Sequence, residues 1–166
     1  MFKLKSISKA GIPDALEKAE RYRFLNEPRL AQSICLDILE SDPDNHKAVI
    51  TLLLSITDQF GRHAPAPEVN EARYLLSRLH NDYEKYYYAG IICERKGKAT
   101  LNQGTAGAHF TAYEWLREAM ELYEKAETIR PDGNDDAILR WNTCARLIER
   151  NHLEPRKEDY IEPPLE

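Results

Sequence analysis

Apolar positions along the chain recur every three or four residues, and this spacing predicts α-helices over most of its length. The stripe Leu30, Ile34 and Ile38, with a neighbouring stripe that begins at Ala31, is a clear example. The alternation of apolar and polar residues that is typical of half-buried strands is nearly absent. We therefore expect an all-α fold of about seven helices.

Prolines and glycines predict where these helices begin and end. Pro28 suits the first turn of a helix, because its missing N–H would be unpaired there in any case. Pro43 ends the second helix, since the residue before a proline is driven out of the α region, and Asp44 is then placed to cap the third. By the same reasoning we expect helices to begin near Pro13, Pro28, Asp44, Pro67, Tyr83, His109 and Asp135, the fifth ending by about Gly104 to Gly107.

Two segments of the chain share a repeated signature. Ala31 and Ala119 are each followed four residues later by a larger residue and twelve residues later by a proline, Pro43 or Pro131. The pattern resembles the tetratricopeptide repeat, a unit of about 34 residues with small residues where two helices cross and a proline after the second helix. In the first unit these roles fall on Ala19, Tyr22, Ala31, Cys35 and Pro43.

The resemblance implies an architecture and a domain organisation. The fold would be an α-solenoid of about three antiparallel helical hairpins with a C-terminal capping helix, and insertions at residues 61–67 and 97–108 would interrupt the register of the repeats. The domain would span residues 12–150, after an N-terminal segment 1–11 and before a flexible tail 151–166. Pro- and charge-rich composition predicts that tail.

Such solenoids hold a peptide or a partner helix on a concave face lined by the first helix of each hairpin. The resemblance therefore implies a non-catalytic protein-binding or scaffold function with a partner of unknown identity. A mixed-charge stripe is also typical of a solvated helix face, and that interpretation stays open. The candidate binding residues are Arg23, Phe24, Thr57, Asp58, Tyr87, Ile91, Glu94, Arg95, Asn142 and Arg146.

Charge and hydropathy restrict the class of partner. Lys and Arg number 23 against 28 Asp and Glu, which gives a formal net charge of -5. Binding to nucleic acid through phosphates would need a concentrated excess of Lys and Arg, so we expect no nucleic-acid partner. The chain has no apolar run long enough to span a bilayer and no signal-peptide pattern, which predicts a cytoplasmic protein that does not bind membranes.

The sequence offers little for catalysis or for a cofactor. Cys35, Cys93 and Cys144 are odd in number and far apart, and each occupies an apolar helical position, which predicts small buried core residues. The histidines fall in different turns without metal-ligand spacing, and no phosphate-binding glycine loop is present. We expect no enzyme activity, no cofactor and no metal, and an enzyme or a metal-binding protein is the remote alternative.

A nearer alternative is a self-assembling structural module. Trp115 and Trp141 would then pack against a second copy of the chain. Arg140 and Arg146, with other charged residues, are predicted to make the outer side of the last helix polar, which favours a capped monomer over a weak homodimer.

Overall fold

A computed structural model of the chain describes residues 1–62 and 67–157. Within these ranges the chain forms seven α-helices and no strand, which confirms the all-α prediction. Two short 3-10 turns, Lys9–Gly11 and Leu75–Arg78, precede the first helix and follow the fourth. The helices are α1 Ile12–Phe24, α2 Pro28–Ser41, α3 His46–Thr57, α4 Val69–Tyr74, α5 Asp82–Gln103, α6 Ala108–Thr128 and α7 Asp136–Arg150.

Side-chain caps and glycines determine where several helices start and stop. Asn45, rather than the predicted Asp44, caps α3, because its Oδ1 accepts a hydrogen bond from the Ala48 amide at 3.0 Å. Gly104 ends α5 with a φ of +63°, a left-handed conformation that costs glycine little. The fourth helix is shorter than predicted, since α4 ends at Tyr74 and the chain continues as a 3-10 turn.

Helices that are consecutive in sequence pack against one another, and α1 also contacts α3 while α3 contacts α5. The most extensive contact is between α5 and α6. Gly90 lets these two helices approach closely, because a Cβ atom there would lie only 2.5 Å from Cε1 of Tyr123. Tyr123 is itself fully buried, so its ring occupies the space that a side chain at position 90 would need.

The described residues form two hydrophobic cores, one among α1 to α4 that also includes Ile92 and Ala99 of α5, and one among α5 to α7. Cys35 lies in the first core, and Cys93 and Cys144 lie in the second, which confirms the prediction that all three are buried. Burial raises the pKa of each thiol to about 12, so the cysteines stay protonated at neutral pH.

Packing against the two cores involves residues on both sides of the predicted helical domain. Leu153 is buried in the second core, so the helical body extends past the predicted boundary at Arg150. At the other end Ile7 packs against the first core, and its carbonyl accepts a hydrogen bond from the Ser41 hydroxyl at 3.1 Å. The rest of the predicted tail, residues 158–166, lies outside the described residues. Among the helices that the structure describes, none combines the length and apolar character needed to cross a membrane.

Candidate binding site

Ionised side chains from α1, α3, α5 and α7 meet in one cluster beside a pocket of 380 Å³. We call this space the cationic pocket, because its wall carries more cations than anions. The charged residues that line it are Asp58, Arg62, Arg95, Lys98 and Arg140.

Asp58, which directly follows α3, is held by two arginines on different helices. Arg23 of α1 donates from Nε to Asp58 Oδ2 at 2.8 Å, and Arg95 of α5 donates to Asp58 Oδ1. Arg95 also donates to the Thr57 hydroxyl oxygen at 3.0 Å and to the Leu54 carbonyl at 3.3 Å. This network links α1, α3 and α5, and it explains how three largely buried charges are accommodated.

Glu94 lies behind the pocket wall and is completely buried. Its carboxylate accepts hydrogen bonds from the Tyr123 hydroxyl at 2.7 Å, from Arg140 at 3.3 Å and from Lys98. Burial by itself would raise the pKa of Glu94, but the charge and hydrogen bond of Lys98, the Tyr123 hydroxyl and the Arg140 charge together lower it below its ordinary value. Glu94 is therefore an anion at neutral pH, bound to two cations on the pocket wall.

The cations exceed what the two carboxylates can neutralise. Asp58 pairs with Arg23 and Arg95, and Glu94 pairs with Lys98 and Arg140. Arg62 is exposed and donates to the neutral Asn26 side chain. A chain with a net charge of -5 thus has a locally positive pocket, which favours an anionic ligand group.

The structure brings five of the ten sequence-predicted residues into this cluster: Arg23, Thr57, Asp58, Glu94 and Arg95. Thr57 and Glu94 are buried, so they position the arginines and the lysine but offer no surface of their own.

Of the other five predicted residues, Tyr87 reaches this cluster through a side-chain hydrogen bond with Arg140, and the rest lie elsewhere. Ile91 belongs to the second core with only 2% of its surface exposed, which is inconsistent with a place on a binding surface. Phe24 is 89% exposed at the end of α1, while Tyr87 is half-buried among Tyr83, Tyr88 and Tyr123. Asn142 is half-buried and Arg146 is exposed on α7.

Sequence reasoning missed Arg62, Lys98 and Arg140. Arg140 was expected on the outer side of the last helix, but it faces Glu94. Arg146 lies six positions later, which turns it well away from the direction of Arg140 around the helix axis. A signal was available, because Arg140 is spaced three residues after Ala137 and four before Cys144, both of which are buried. Lys98 likewise follows Glu94 by four residues, the spacing of an ion pair on one helix face.

The two tryptophans proposed for self-assembly have partners within the chain. The guanidinium of Arg73 lies over the Trp115 ring, 5.4 Å from its centroid. The indole N–H of Trp141 donates to Glu124 at 2.9 Å. Both rings are half-buried, so each offers only part of its apolar area to another molecule.

Histidines and carboxylates do not converge on a metal-binding geometry in residues 1–62 and 67–157. The nearest approach is a pair of stacked imidazoles, His46 and His80, with ring centroids 4.0 Å apart. His46 Nε2 lies 3.0 Å from Glu84 Oε1. His63, another of the histidines weighed above, is outside the described residues.

No family model, curated protein or solved structure matches this chain. Its function is therefore inferred from the geometry of its own residues.

Proposed function

We propose that this protein is a non-catalytic binding module that holds an acidic segment of a partner protein in the cationic pocket. The observation that carries the proposal is the local reversal of charge: a pocket wall rich in Arg and Lys on a chain whose net charge is -5. Asp and Glu side chains of a partner would pair with the arginine forks, which bind carboxylates in a planar, two-point geometry.

The contacts between helices support the solenoid interpretation that goes with this function. Contacts of α1 with α3 and of α3 with α5 are those expected if successive hairpins stack with their first helices side by side. Arg23, Asp58, Arg95 and Arg140 then come from the first helices of successive units, or directly follow one. We propose the tetratricopeptide-like arrangement and the cytoplasmic location on this basis and on the sequence.

Ion pairs within the chain also hold the side chains of the cationic pocket in place before a ligand binds. Arg95 and Arg140 already have their side chains held by Asp58 and Glu94, so a ligand has little side-chain entropy to remove. Arg62 is exposed and has only a neutral partner, which makes it the cation most available to an incoming carboxylate.

The test is a selection of peptides from a random displayed library against the full chain, followed by fluorescence anisotropy of the enriched peptides. We expect enriched peptides rich in Asp and Glu, with affinity that weakens strongly from low to high salt. A double variant, Arg62→Glu with Arg140→Gln, should weaken binding about tenfold, since it removes charge worth roughly 1.4 kcal/mol at a partly exposed site.

A control variant with the same charge change is available on the surface of α7. Arg146→Glu with Arg150→Gln alters two exposed arginines that do not line the pocket. We expect it to bind like wild type. If this control loses peptide binding while the pocket variant still binds, the binding site includes the sequence-predicted Arg146 and not the cationic pocket. Enriched peptides without acidic residues, or preferential binding of a single-stranded oligonucleotide, would contradict the proposal.

The self-assembling module remains the second proposal, but no observed feature favours it over binding. Size-exclusion chromatography with light scattering tests it directly. We expect a monomer, because the partly exposed rings of Trp115 and Trp141 are engaged within the chain.

A further inference from the structure

A second pocket, of 530 Å³, lies between the start of α5 and the loop that joins α6 to α7. Its wall includes three tyrosines from the first two turns of α5, and we call it the tyrosine pocket. The rings of Tyr83 and Tyr87 are nearly parallel, with centroids 5.9 Å apart and an angle of 9° between their planes. The Tyr88 ring meets Tyr87 edge-on at 5.1 Å. Aromatic faces grouped in this way attract cations.

The charged groups that line the tyrosine pocket are all acidic. Asp82 and Glu84 come from the first turn of α5, and Asp136 comes from the first turn of α7. No Lys, Arg or His lines the pocket within the part of the chain that the structure describes. The wall therefore has three acidic groups and no cation of its own, although Arg140 forms a side-chain hydrogen bond with Tyr87 and the charge of Arg130 acts on Tyr83.

One buried polar atom of this wall, Oε2 of Glu84, lacks a hydrogen-bond partner among the described residues. The other oxygen of Glu84 is occupied by His46. Because Oε2 is closed off from solvent, a ligand in the pocket does not reach it, and the carboxylates that a ligand can contact are those of the exposed residues Asp82 and Asp136.

Tyr83 and Tyr88 keep their hydroxyl protons at neutral pH. Burial raises the pKa of Tyr88 to about 12, and burial followed by the charge of Asp136 raises the pKa of Tyr83. The rings thus add no negative charge of their own, and they provide flat faces and hydroxyl oxygens that accept hydrogen bonds.

We propose that the tyrosine pocket binds the guanidinium group of an arginine side chain from a partner. A guanidinium is planar and stacks on aromatic faces, while its N–H groups can pair with the exposed carboxylates of Asp82 and Asp136. A quaternary ammonium would satisfy the rings but not the oxygens, because it has no N–H to donate. This assignment does not depend on the proposed binding of acidic segments in the cationic pocket.

The test uses small probes and the full chain, isotopically labelled for heteronuclear NMR. N-acetyl-arginine amide should shift the ring resonances of Tyr83 and Tyr87 in a saturable way at millimolar concentration. The citrulline analogue, which is neutral but nearly the same shape, should bind at least threefold more weakly, and so should the trimethyl-lysine analogue.

Two matched variants place the effect on the pocket. Asp136→Asn should weaken binding of the arginine probe about threefold to fivefold, the effect of one partly exposed charge pair. Asp132→Asn makes the same change at an exposed residue of the loop between α6 and α7 that does not line the pocket, and it should leave binding of the arginine probe unchanged. Both substitutions are on exposed residues, and an unchanged spectrum away from the pocket confirms folding.

Three results would overturn the proposal: no saturable shift with the arginine probe, equal binding of arginine and citrulline probes, or equal weakening by the two variants. Binding of acidic peptides to the cationic pocket would be unaffected by any of them.

Discussion

Glu94→Gln is the most informative single substitution for the charged cluster. Glu94 is fully buried, and its carboxylate binds Tyr123, Lys98 and Arg140. Glutamine keeps the shape of the side chain and one acceptor oxygen but removes the charge. The variant therefore separates the contribution of the ionised group from that of packing.

The magnitude follows from the three contacts. Replacing a charged acceptor by a neutral one weakens the buried Tyr123 hydrogen bond by about 1 kcal/mol. Lys98 and Arg140 are 38% and 34% exposed, so each ion pair contributes only about 0.5 kcal/mol after screening by solvent. We expect the free energy of unfolding at pH 7 to fall by about 2 kcal/mol. For a chain of this length that lowers the melting temperature by about 4 to 8 °C.

The pH dependence gives a second, independent prediction for the same variant. The pKa of Glu94 is lower in the folded protein than the ordinary value of about 4.3 in the unfolded chain. The stability that this difference contributes is fully present above the unfolded pKa and is lost as the pH falls through the folded one. The difference in stability between wild type and Glu94→Gln should therefore be largest at neutral pH and shrink below about pH 4.

Urea unfolding followed by circular dichroism at pH 7, 5 and 3.5 measures both effects. Glu121→Gln is the matched control, because Glu121 is an exposed carboxylate on α6, and it should change stability by less than about 0.5 kcal/mol. The reasoning is refuted if Glu94→Gln is as stable as wild type at pH 7. That result would mean that the cost of burying the carboxylate cancels its hydrogen bonds and ion pairs.

Two further predictions concern packing. Gly90→Ala should destabilise the protein by about 1 to 3 kcal/mol despite the better helix propensity of alanine, because the new Cβ would lie 2.5 Å from the Tyr123 ring. Gly97→Ala should cost clearly less, because its Cβ would come no closer than 3.1 Å to Leu116 and the better helix propensity of alanine offsets part of that crowding. Equal thermal melting of the two variants would contradict this. Leu153→Ala should lower the free energy of unfolding, measured by chemical denaturation, by about 2 to 4 kcal/mol, because Leu153 is buried in the second core. Pro155→Ala, at an exposed position, should lower it little. Equal stability of the two variants would mean that residue 153 is part of the predicted tail.

Much of the helical architecture was predictable, because helix formation here depends on local patterns. The stripe through Ile34 and Ile38 and the position of Pro28 suffice to place α2, and they need no knowledge of the tertiary structure. The end of α5 near Gly104 was predicted as well, but the reason for a glycine at position 97 was not. That glycine is explained by tertiary packing, since Leu116 and Trp115 of α6 lie 3.1 to 3.2 Å from where its Cβ would be.

The charged cluster was predictable only in part, for a physical reason. The resemblance to a tetratricopeptide repeat implied that Asp58, Glu94 and Arg95 line one face with other charged residues, but it does not say which charges neutralise each other. That depends on the rotation of α7, which brings Arg140 to Glu94 and turns Arg146 away. The resulting excess of cations at the pocket is a property of the packed helices and cannot be read from the net charge.

The two proposed pockets are neighbours, and their order along the helices constrains a partner that uses both. Asp136 and Arg140 are four residues apart on α7, which is about 6 Å along the helix, and Tyr87 and Lys98 are eleven apart on α5, which is about 16 Å. A partner would need an arginine and an acidic group separated by about 6 to 16 Å, which about two to five residues of extended chain can span. Because one pocket is acidic and the other basic, the reversed charge order would place like charges together at both ends. The arrangement therefore selects the direction of a bound segment as well as its composition.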